Sequence, residues 1–124
     1  MRLPFALLPL FGSLVLAACG GPAPGDSCST NGFLCATENS AMECRLGTWR
    51  ELPCRGPQGC RVEGDTVSCD MSLNREGDAC AATTEGAGIC ESSGFAALQC
   101  RQGTLIRTPC TTCTVSGEQV LCAQ

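Results

Sequence analysis

The chain has 124 residues, a net charge of −4, and no histidine, lysine or tyrosine. Without histidine it has no imidazole acid, base or metal ligand, and without lysine it forms no Schiff base. Thirteen cysteines, about one residue in ten, are typical of a small protein held together by disulfide bonds.

Residues 1–18 predict a secretory signal peptide. Arg2 supplies the positive start, residues 3–16 form a short apolar run, and small residues precede Cys19. The run is too short, and too rich in proline, for a good transmembrane helix. An ordinary signal peptide cleaved after Ala18 is the alternative, and it would leave Cys19 as a free thiol.

The sequence Leu16-Ala17-Ala18-Cys19 resembles the lipobox of bacterial lipoproteins, which is cleaved just before the cysteine. The resemblance implies that the Cys19 thiol carries a diacylglycerol and that its amine carries an acyl chain such as palmitate. Two or three acyl chains anchor a protein to a membrane far more firmly than one acyl chain does. We therefore expect a lipoprotein that is anchored to the membrane without spanning it. Gly20 is not the aspartate of the inner-membrane retention signal, which favours the outer membrane and leaves periplasmic or surface display open.

The tether and the cysteine blocks divide the rest of the chain. Residues 19–25 combine the lipidated cysteine with a flexible Gly/Pro/Ala tether. The other twelve cysteines fall into two sets of six within collinear matching blocks, which predicts a duplication with a period of about 53 residues. The matching blocks are 25–28 with 77–80, 44–54 with 100–110, and 60–69 with 113–122. The expected domains are module 1 (26–70), a linker (71–77) and module 2 (78–124).

Each module has little material for a core. Only 18 of the 106 residues from Cys19 onward are Val, Ile, Leu, Met, Phe or Trp. Such modules need crosslinks at roughly 2–4 kcal/mol each, and these persist outside the reducing cytosol. Turn residues predict hairpins that place Trp49 opposite Cys44 and Leu105 opposite Cys100. The expected fold class is therefore small, disulfide-rich and dominated by β-hairpins.

Two disulfides follow from the predicted hairpin register. A two-residue turn at Gly64-Asp65 places Cys60 opposite Cys69, at a site where side chains approach closely. The same count around the turn at 117–118 places Cys113 opposite Cys122. We therefore expect the cross-strand bonds Cys60–Cys69 and Cys113–Cys122. The other four cysteines of each module allow three connectivities.

An analogy with epidermal-growth-factor-like modules selects one of these connectivities. In each module it implies bonds from the first cysteine to the third and from the second to the fourth. The cysteine spacing differs from that of the growth-factor family. The implied pairs are Cys28–Cys44, Cys35–Cys54, Cys80–Cys100 and Cys90–Cys110.

No catalytic, metal-binding or cofactor-binding set is expected, and the lipid on Cys19 is the only non-protein group. The motif Cys110-x-x-Cys113 is a candidate redox or metal pair. Its counterpart in module 1, Cys54 and Cys60, has five residues between the cysteines, which a disulfide scaffold tolerates better than a redox centre does. The acidic balance, about −5 after the signal peptide, does not support nucleic-acid binding.

Single residues offer weaker candidates, each with a structural alternative. Trp49 could stack on a sugar, although its apolar counterpart Leu105 favours hairpin packing. Asp26 and Asp78 recur after glycine, where turn formation explains them at least as well as a binding site does. Arg45 and Arg101 recur before a predicted turn, where solvated side chains are favoured over binding residues.

The lipobox, the tether and the tandem cysteine modules resemble the small cysteine-rich predicted lipoproteins of myxobacteria. The resemblance covers the whole chain and implies a location, without an activity. The end of the chain, from Pro109 to Cys122, is also similar to the end of von Willebrand factor type C modules, which bind proteins. The C-x-C element of those modules is absent here.

The favoured function is a non-catalytic binding or interaction module with a protein or glycan partner. A structural or protective envelope component without a ligand is the main alternative. Two weaker alternatives are a redox role and protease inhibition through the loop Arg55–Gly59.

Overall fold

The computed structural model describes residues 21–117 and 119–124, so the predicted signal peptide and Cys19 lie outside the described residues. Short antiparallel strands form nearly all of the regular structure, as the sequence predicts. In this part of the chain the only helical element is a 3₁₀ turn, Ala82–Thr84, and no helix is long and apolar enough to cross a membrane. The strands are β1 (Gly32–Thr37), β2 (Ser40–Arg45), β3 (Thr48–Pro53), β4 (Cys60–Glu63), β5 (Thr66–Cys69), β6 (Gly88–Cys90), β7 (Ala96–Arg101), β8 (Thr104–Pro109), β9 (Thr112–Ser116) and β10 (Gln119–Ala123).

The strands form four small sheets in a repeated order. Strands β1-β2-β3 form a three-stranded sheet followed by the β4-β5 hairpin, and β6-β7-β8 form another followed by the β9-β10 hairpin. We call residues 25–70 the first half and residues 77–124 the second half. The predicted registers are confirmed, with the pairs Cys44/Trp49, Cys100/Leu105, Cys60/Cys69 and Cys113/Cys122 directly opposite one another.

Two tight turns join the middle strands of the sheets. Leu46 and Gly47 have φ of 52° and 78°, and Gln102 and Gly103 have φ of 52° and 77°. Two successive positive φ angles are characteristic of the type I′ turn, whose twist matches that of the flanking strands. Glycine adopts the second of these positions without steric cost. The Leu-Gly and Gln-Gly pairs therefore fix the register of β2-β3 and β7-β8.

The twelve described cysteines form six disulfides, and only part of the predicted pairing is correct. Cys28–Cys44 and Cys80–Cys100 agree with the prediction. The predicted bonds Cys60–Cys69, Cys113–Cys122, Cys35–Cys54 and Cys90–Cys110 are wrong. The remaining bonds are Cys35–Cys60, Cys54–Cys69, Cys90–Cys113 and Cys110–Cys122.

The error has a physical reason in the first half. Cys60 and Cys69 lie opposite each other as expected, but a bond between them would link two strands that hydrogen bonds already join. Instead Cys60 bonds to Cys35 on β1, and Cys69 bonds to Cys54 just after β3. These bonds span 25 and 15 residues, so they restrict the unfolded chain more than a short crosslink within the hairpin would. They also fasten the β4-β5 hairpin to the three-stranded sheet.

The two halves are packed together through the predicted linker. Ala81 of the second half lies in the core of the first, with Ala41, Leu52 and Cys54. Within the linker, Asn74 is only 1% exposed. Its side chain donates to the carbonyl oxygen of Pro53 at 2.9 Å and accepts the N–H of Arg55 at 3.0 Å. Asn74 therefore fastens the linker to the first half, while residues 72–73 and 75–77 are exposed.

Candidate functional site

Each half has a groove between its three-stranded sheet and its C-terminal hairpin. The strand registers place the residues of the two grooves at matching positions. The first groove is lined by Phe33, Ala41, Leu52, Val67, Cys69 and Met71. The corresponding residues of the second groove are Gly88, Ala97, Thr108, Val120, Cys122 and Gln124.

The first groove is occupied by the start of the second half. Ala81 enters it and is 8% exposed, and the following threonines, Thr83 and Thr84, contribute to its wall. The carboxylate of Glu43, itself 4% exposed, accepts the N–H of Ala82 at 3.0 Å. Because of this cover, residues Ser40–Cys44 of β2 are buried on both faces of the sheet.

The second groove is open. In β7 the inward residues are buried, whereas Ala97 and Gln99 on the other face remain partly exposed. Thr108 is exposed at the position where Leu52 is buried in the first half. The open volume of the second groove is about 430 Å³. In the first half about 200 Å³ remains beside Ala81, and a separate space of about 360 Å³ lies between Phe33, Glu43 and Thr83. None of the described residues that line it is charged.

An ion pair holds the two halves together beside the first groove. The guanidinium of Arg55 donates to both carboxylate oxygens of Asp78, at 2.7 and 2.9 Å. Asp78 also accepts the N–H of Arg75 at 2.9 Å, and its side chain is 9% exposed. The hydrogen bond from Arg55 is the main reason that the pKa of Asp78 is lowered, and it outweighs the opposing effect of burial.

The predicted turn role of the recurrent aspartates fits this geometry. Asp26 accepts the N–H of Ala23 at 2.8 Å, just as Asp78 accepts that of Arg75. The ion pair is the additional feature of Asp78.

We expect Asp78→Asn to lower the free energy of unfolding by about 1 kcal/mol at pH 7, a value reduced because Arg55 is partly exposed. The folded-state pKa of Asp78 is depressed. Its contribution to stability is therefore complete above the unfolded-state pKa of about 4 and is lost as the pH falls through the folded-state value. The variant should accordingly show a shallower loss of stability in acid, measured by urea unfolding from pH 7 to pH 2. Asp26→Asn keeps the ion pair and is the matched control. Equal acid slopes in the two variants would contradict this role of the pair.

Arg45 differs from the solvated hairpin residue that the sequence favours. It is partly buried, and its guanidinium lies next to Gly103 in the turn of the second half. Arg50 donates to the carbonyl oxygen of Gly103 at 2.7 Å. Glu85 accepts the N–H groups of Gln102 and Gly103, which lowers its pKa, and the charges of Arg45 and Arg101 lower it further. Arg45 therefore belongs to the contact between the halves.

The aromatic candidates have different surroundings. Trp49 is half-buried in β3 opposite Cys44, and its counterpart Leu105 is buried. Phe33 lines the first groove at 40% exposure, whereas Phe95 is 62% exposed just before β7.

The two cysteines of the C-x-x-C motif are not bonded to each other. Cys110 is bonded to Cys122, and Cys113 is bonded to Cys90. Within the described part of the chain, no group of three or more Cys, Asp or Glu side chains is arranged to hold a metal ion. Cys110 and Cys113 are therefore both structural cysteines, each in its own disulfide bond.

The loop Arg55–Gly59 forms a compact turn around Asp70. Gly59 donates to the carbonyl oxygen of Gly56 at 3.0 Å, and Gln58 donates to the Asp70 carboxylate at 3.0 Å. The Gln58 N–H contributes most to lowering the pKa of Asp70. With the Arg55 side chain held by Asp78, the loop lacks the free, extended form that would suit insertion into a protease.

Comparison with family models, curated proteins and solved structures finds no match for this chain. The likeness to myxobacterial lipoproteins accordingly stays a prediction from the sequence.

The second groove is the site that the sequence analysis missed. A signal was present in the matching blocks, where Leu52 of the first half corresponds to Thr108 of the second. This exchange of a large apolar residue for a polar one marks a face that is covered in one half and open in the other. The sequence does not show that these two residues line grooves, because the grooves form only when the strands of each half pack together.

Proposed function

We propose that the protein is a non-catalytic, lipid-anchored binding protein of the cell envelope that presents the second groove to a partner. One observation carries the proposal. The second groove is open, whereas the groove at matching positions of the same chain is filled by a polypeptide segment. The first groove already binds a polypeptide segment, and we take the groove at matching positions of the second half to be a binding surface as well.

The disulfides support this function by fixing the walls of the groove. Cys90–Cys113 links β6 to β9, and Cys110–Cys122 links the end of β8 to β10. A site whose walls are already in place loses less conformational entropy when a ligand binds. The predicted lipid on Cys19 and the tether would hold this site close to a membrane surface.

A structural envelope component is the second candidate, and the polar lining favours it. Thr108 and Gln124 stand where the first groove has Leu52 and Met71. A polar outer face is what the terminal unit of a repeat array needs for solubility. In that case the groove would be the solvated end of the array.

Photocrosslinking in living cells separates the two candidates. A photoreactive residue at Gln99, which lines the groove, should capture a saturable partner. The same residue at the exposed Gln58, outside the groove, is the matched control. Thr108→Arg should abolish capture from position 99 by filling the groove. Capture at position 99 no greater than at position 58 would contradict the binding function and favour the structural one. Loss of membrane attachment in Cys19→Ser checks the anchor separately.

A further inference from the structure

We infer that the β2-β3 turn and its neighbours form a membrane contact that lies against phospholipid head groups beside the lipid anchor. The contact consists of Phe33, Arg45, Leu46, Trp49 and Arg50, and we call it the anchor face. The inference rests on the lipid anchor of the proposed function and adds a surface of the folded protein to it. Three observations carry it, which concern the position of the tether, the exposed apolar side chains and the charge.

The first observation is the place where the tether joins the fold. Gly25 donates its N–H to the carbonyl oxygen of Trp49 at 2.8 Å, and Cys28 donates to that of Gly47 at 2.9 Å. Cys19 precedes Gly25 by six residues. Six residues span at most about 22 Å when they are fully extended. A lipid on Cys19 therefore keeps the β2-β3 turn within reach of the bilayer surface, whatever path the tether takes.

The second observation is a pair of exposed apolar side chains at this turn. Leu46 is 92% exposed and has a φ of 52°, a conformation that Asn, Asp and Gly adopt more readily at this turn position. Phe33 is 40% exposed, and both side chains line the same open space of about 360 Å³. The matching positions of the second half hold Gln102 and Gly88. The large apolar residues therefore occur in the half that carries the tether, which is the half that a lipid anchor holds at a membrane.

Trp49 adds an amphipathic side chain to the anchor face. Its backbone pairs with the start of the fold, since its N–H donates to the carbonyl oxygen of Asp26 at 2.8 Å. Its side chain is half-buried, whereas Leu105 at the matching position is 1% exposed. Tryptophan is enriched where a membrane meets water, because its ring is apolar and its indole N–H is polar. A tryptophan beside the tether therefore fits a membrane interface.

The third observation is the positive charge beside these apolar residues. Arg45 lines the open space described above, and Arg50 follows on β3. Arg50 donates to the carbonyl oxygen of Gly103 at 2.7 Å, but a guanidinium has five N–H donors and can bind a lipid phosphate at the same time. Arginine stems lie along apolar surface while the charged group stays at the polar boundary. The anchor face therefore combines apolar side chains with donors for phosphate oxygens.

The charge distribution favours this face over the rest of the surface. The carboxylates of Glu43, Asp26 and Glu85, which lie beside the anchor face, each accept a backbone N–H of the protein. Glu43 is in addition only 4% exposed. The chain as a whole carries a charge of about −5 after the predicted signal peptide. An anionic membrane surface repels most of such a molecule and attracts its arginines, which turns the anchor face toward the bilayer.

Paramagnetic relaxation in a bilayer tests the inference. The sample is the mature lipidated protein, isotope-labelled and reconstituted in nanodiscs of phosphatidylcholine and phosphatidylglycerol. A lipid with a gadolinium chelate on its head group broadens the signals of amides that lie near the bilayer surface. We expect the amides of Gly32, Leu46 and Gly47 to broaden at least threefold more than those of residues 93–95. Residues 93–95 precede β7, at the opposite end of that strand from Gly103, which Arg50 contacts.

Two variants test the apolar side chains. Leu46→Gln and Phe33→Gln should each reduce the broadening at residues 46–47 at least twofold. Leu46→Gln introduces the residue that the second half has in its own turn, where Gln102 has the same φ of 52°, so the turn is retained. Phe95→Gln is the matched control, since Phe95 is 62% exposed and lies outside the anchor face. Unchanged amide shifts in β7 and β8 show that each variant is folded.

Three results would overturn the inference. They are equal broadening at residues 46–47 and 93–95, broadening at 46–47 that the two variants reduce no more than Phe95→Gln does, and broadening that is as strong in nanodiscs of phosphatidylcholine alone. The last result would show that the arginines are not attracted to anionic head groups.

The mass of the mature protein decides separately whether Cys19 carries lipid. If it carries none, the anchor of the proposed function fails and this inference fails with it. If the lipid is present but the amides show no such pattern, only this inference fails and the lipid anchor stands.

Discussion

Replacing Ala81 with glutamate is expected to lower the free energy of unfolding by about 3 kcal/mol. Ala81 is 8% exposed among Ala41, Leu52 and Cys54, where a carboxylate would lose water and lie against apolar side chains. Urea unfolding followed by the fluorescence of Trp49, the only tryptophan of the chain, measures the change. Hydrogen exchange should also show that the start of the second half has separated from the first groove.

The matched control for this variant is Ser29→Glu. Ser29 occupies the corresponding position at the start of the first half, where nothing covers it and its side chain is exposed. Its replacement should change the free energy of unfolding by less than about 0.5 kcal/mol. A similar loss in both variants would mean that glutamate acts locally, and that the contact between the halves does not depend on Ala81.

Loss of the Cys54–Cys69 disulfide should have a comparable effect. The bond spans 15 residues, for which the chain-entropy contribution is about 3 kcal/mol, and Cys54 is fully buried. The double variant Cys54→Ala/Cys69→Ala should unfold at lower urea concentration. It should also expose the amides of residues 74–78 to exchange, since Pro53 and Arg55 hold Asn74 and Asp78.

The corresponding bond in the second half is the matched control. Cys110→Ala/Cys122→Ala removes a bond that spans 12 residues, and both of its cysteines are partly exposed. It should destabilise the second half and leave the exchange of residues 74–78 unchanged. Equal exchange at the junction in both double variants would contradict the role assigned to Cys54–Cys69.

Arginine-specific digestion of the oxidised protein checks the connectivity on which this expectation depends. Cleavage after Arg45, Arg50, Arg55, Arg61 and Arg75 places Cys54, Cys60 and Cys69 on separate fragments. The structure requires fragment 51–55 to be linked to 62–75, and fragment 56–61 to the fragment that carries Cys35. A link between 56–61 and 62–75 would instead indicate the Cys60–Cys69 bond.

Much of the local structure could be predicted from the sequence. The type I′ turns at 46–47 and 102–103 and the glycine turn at 64–65 fix which residues face each other, so the hairpin registers follow from chain length between turns. Such local geometry depends on a few neighbouring residues. For Asp26 and Asp78 the sequence leaves a turn role and a binding role open, and their contacts with the N–H groups of Ala23 and Arg75 fit the turn role.

The disulfide pairing and the groove could not be derived in this way. Cys60 and Cys69 are adjacent in register, yet each bonds to a more distant cysteine because the hairpin lies against the sheet of the same half. Similarly, nothing in segment 78–82 alone indicates that Ala81 is buried against Leu52 while Ser29 stays exposed. These facts depend on how separate elements pack.

The sequence by itself thus determined the cysteine-rich character of the protein, the β-hairpin fold class and the register of its strands. These depend on composition and on local turn chemistry. Only the tertiary structure decided which sulfurs bond and which of the two matching grooves is filled. The reason is that the second half follows the first along the chain and packs against it, so β2 is covered on both faces while the outer face of β7 stays open.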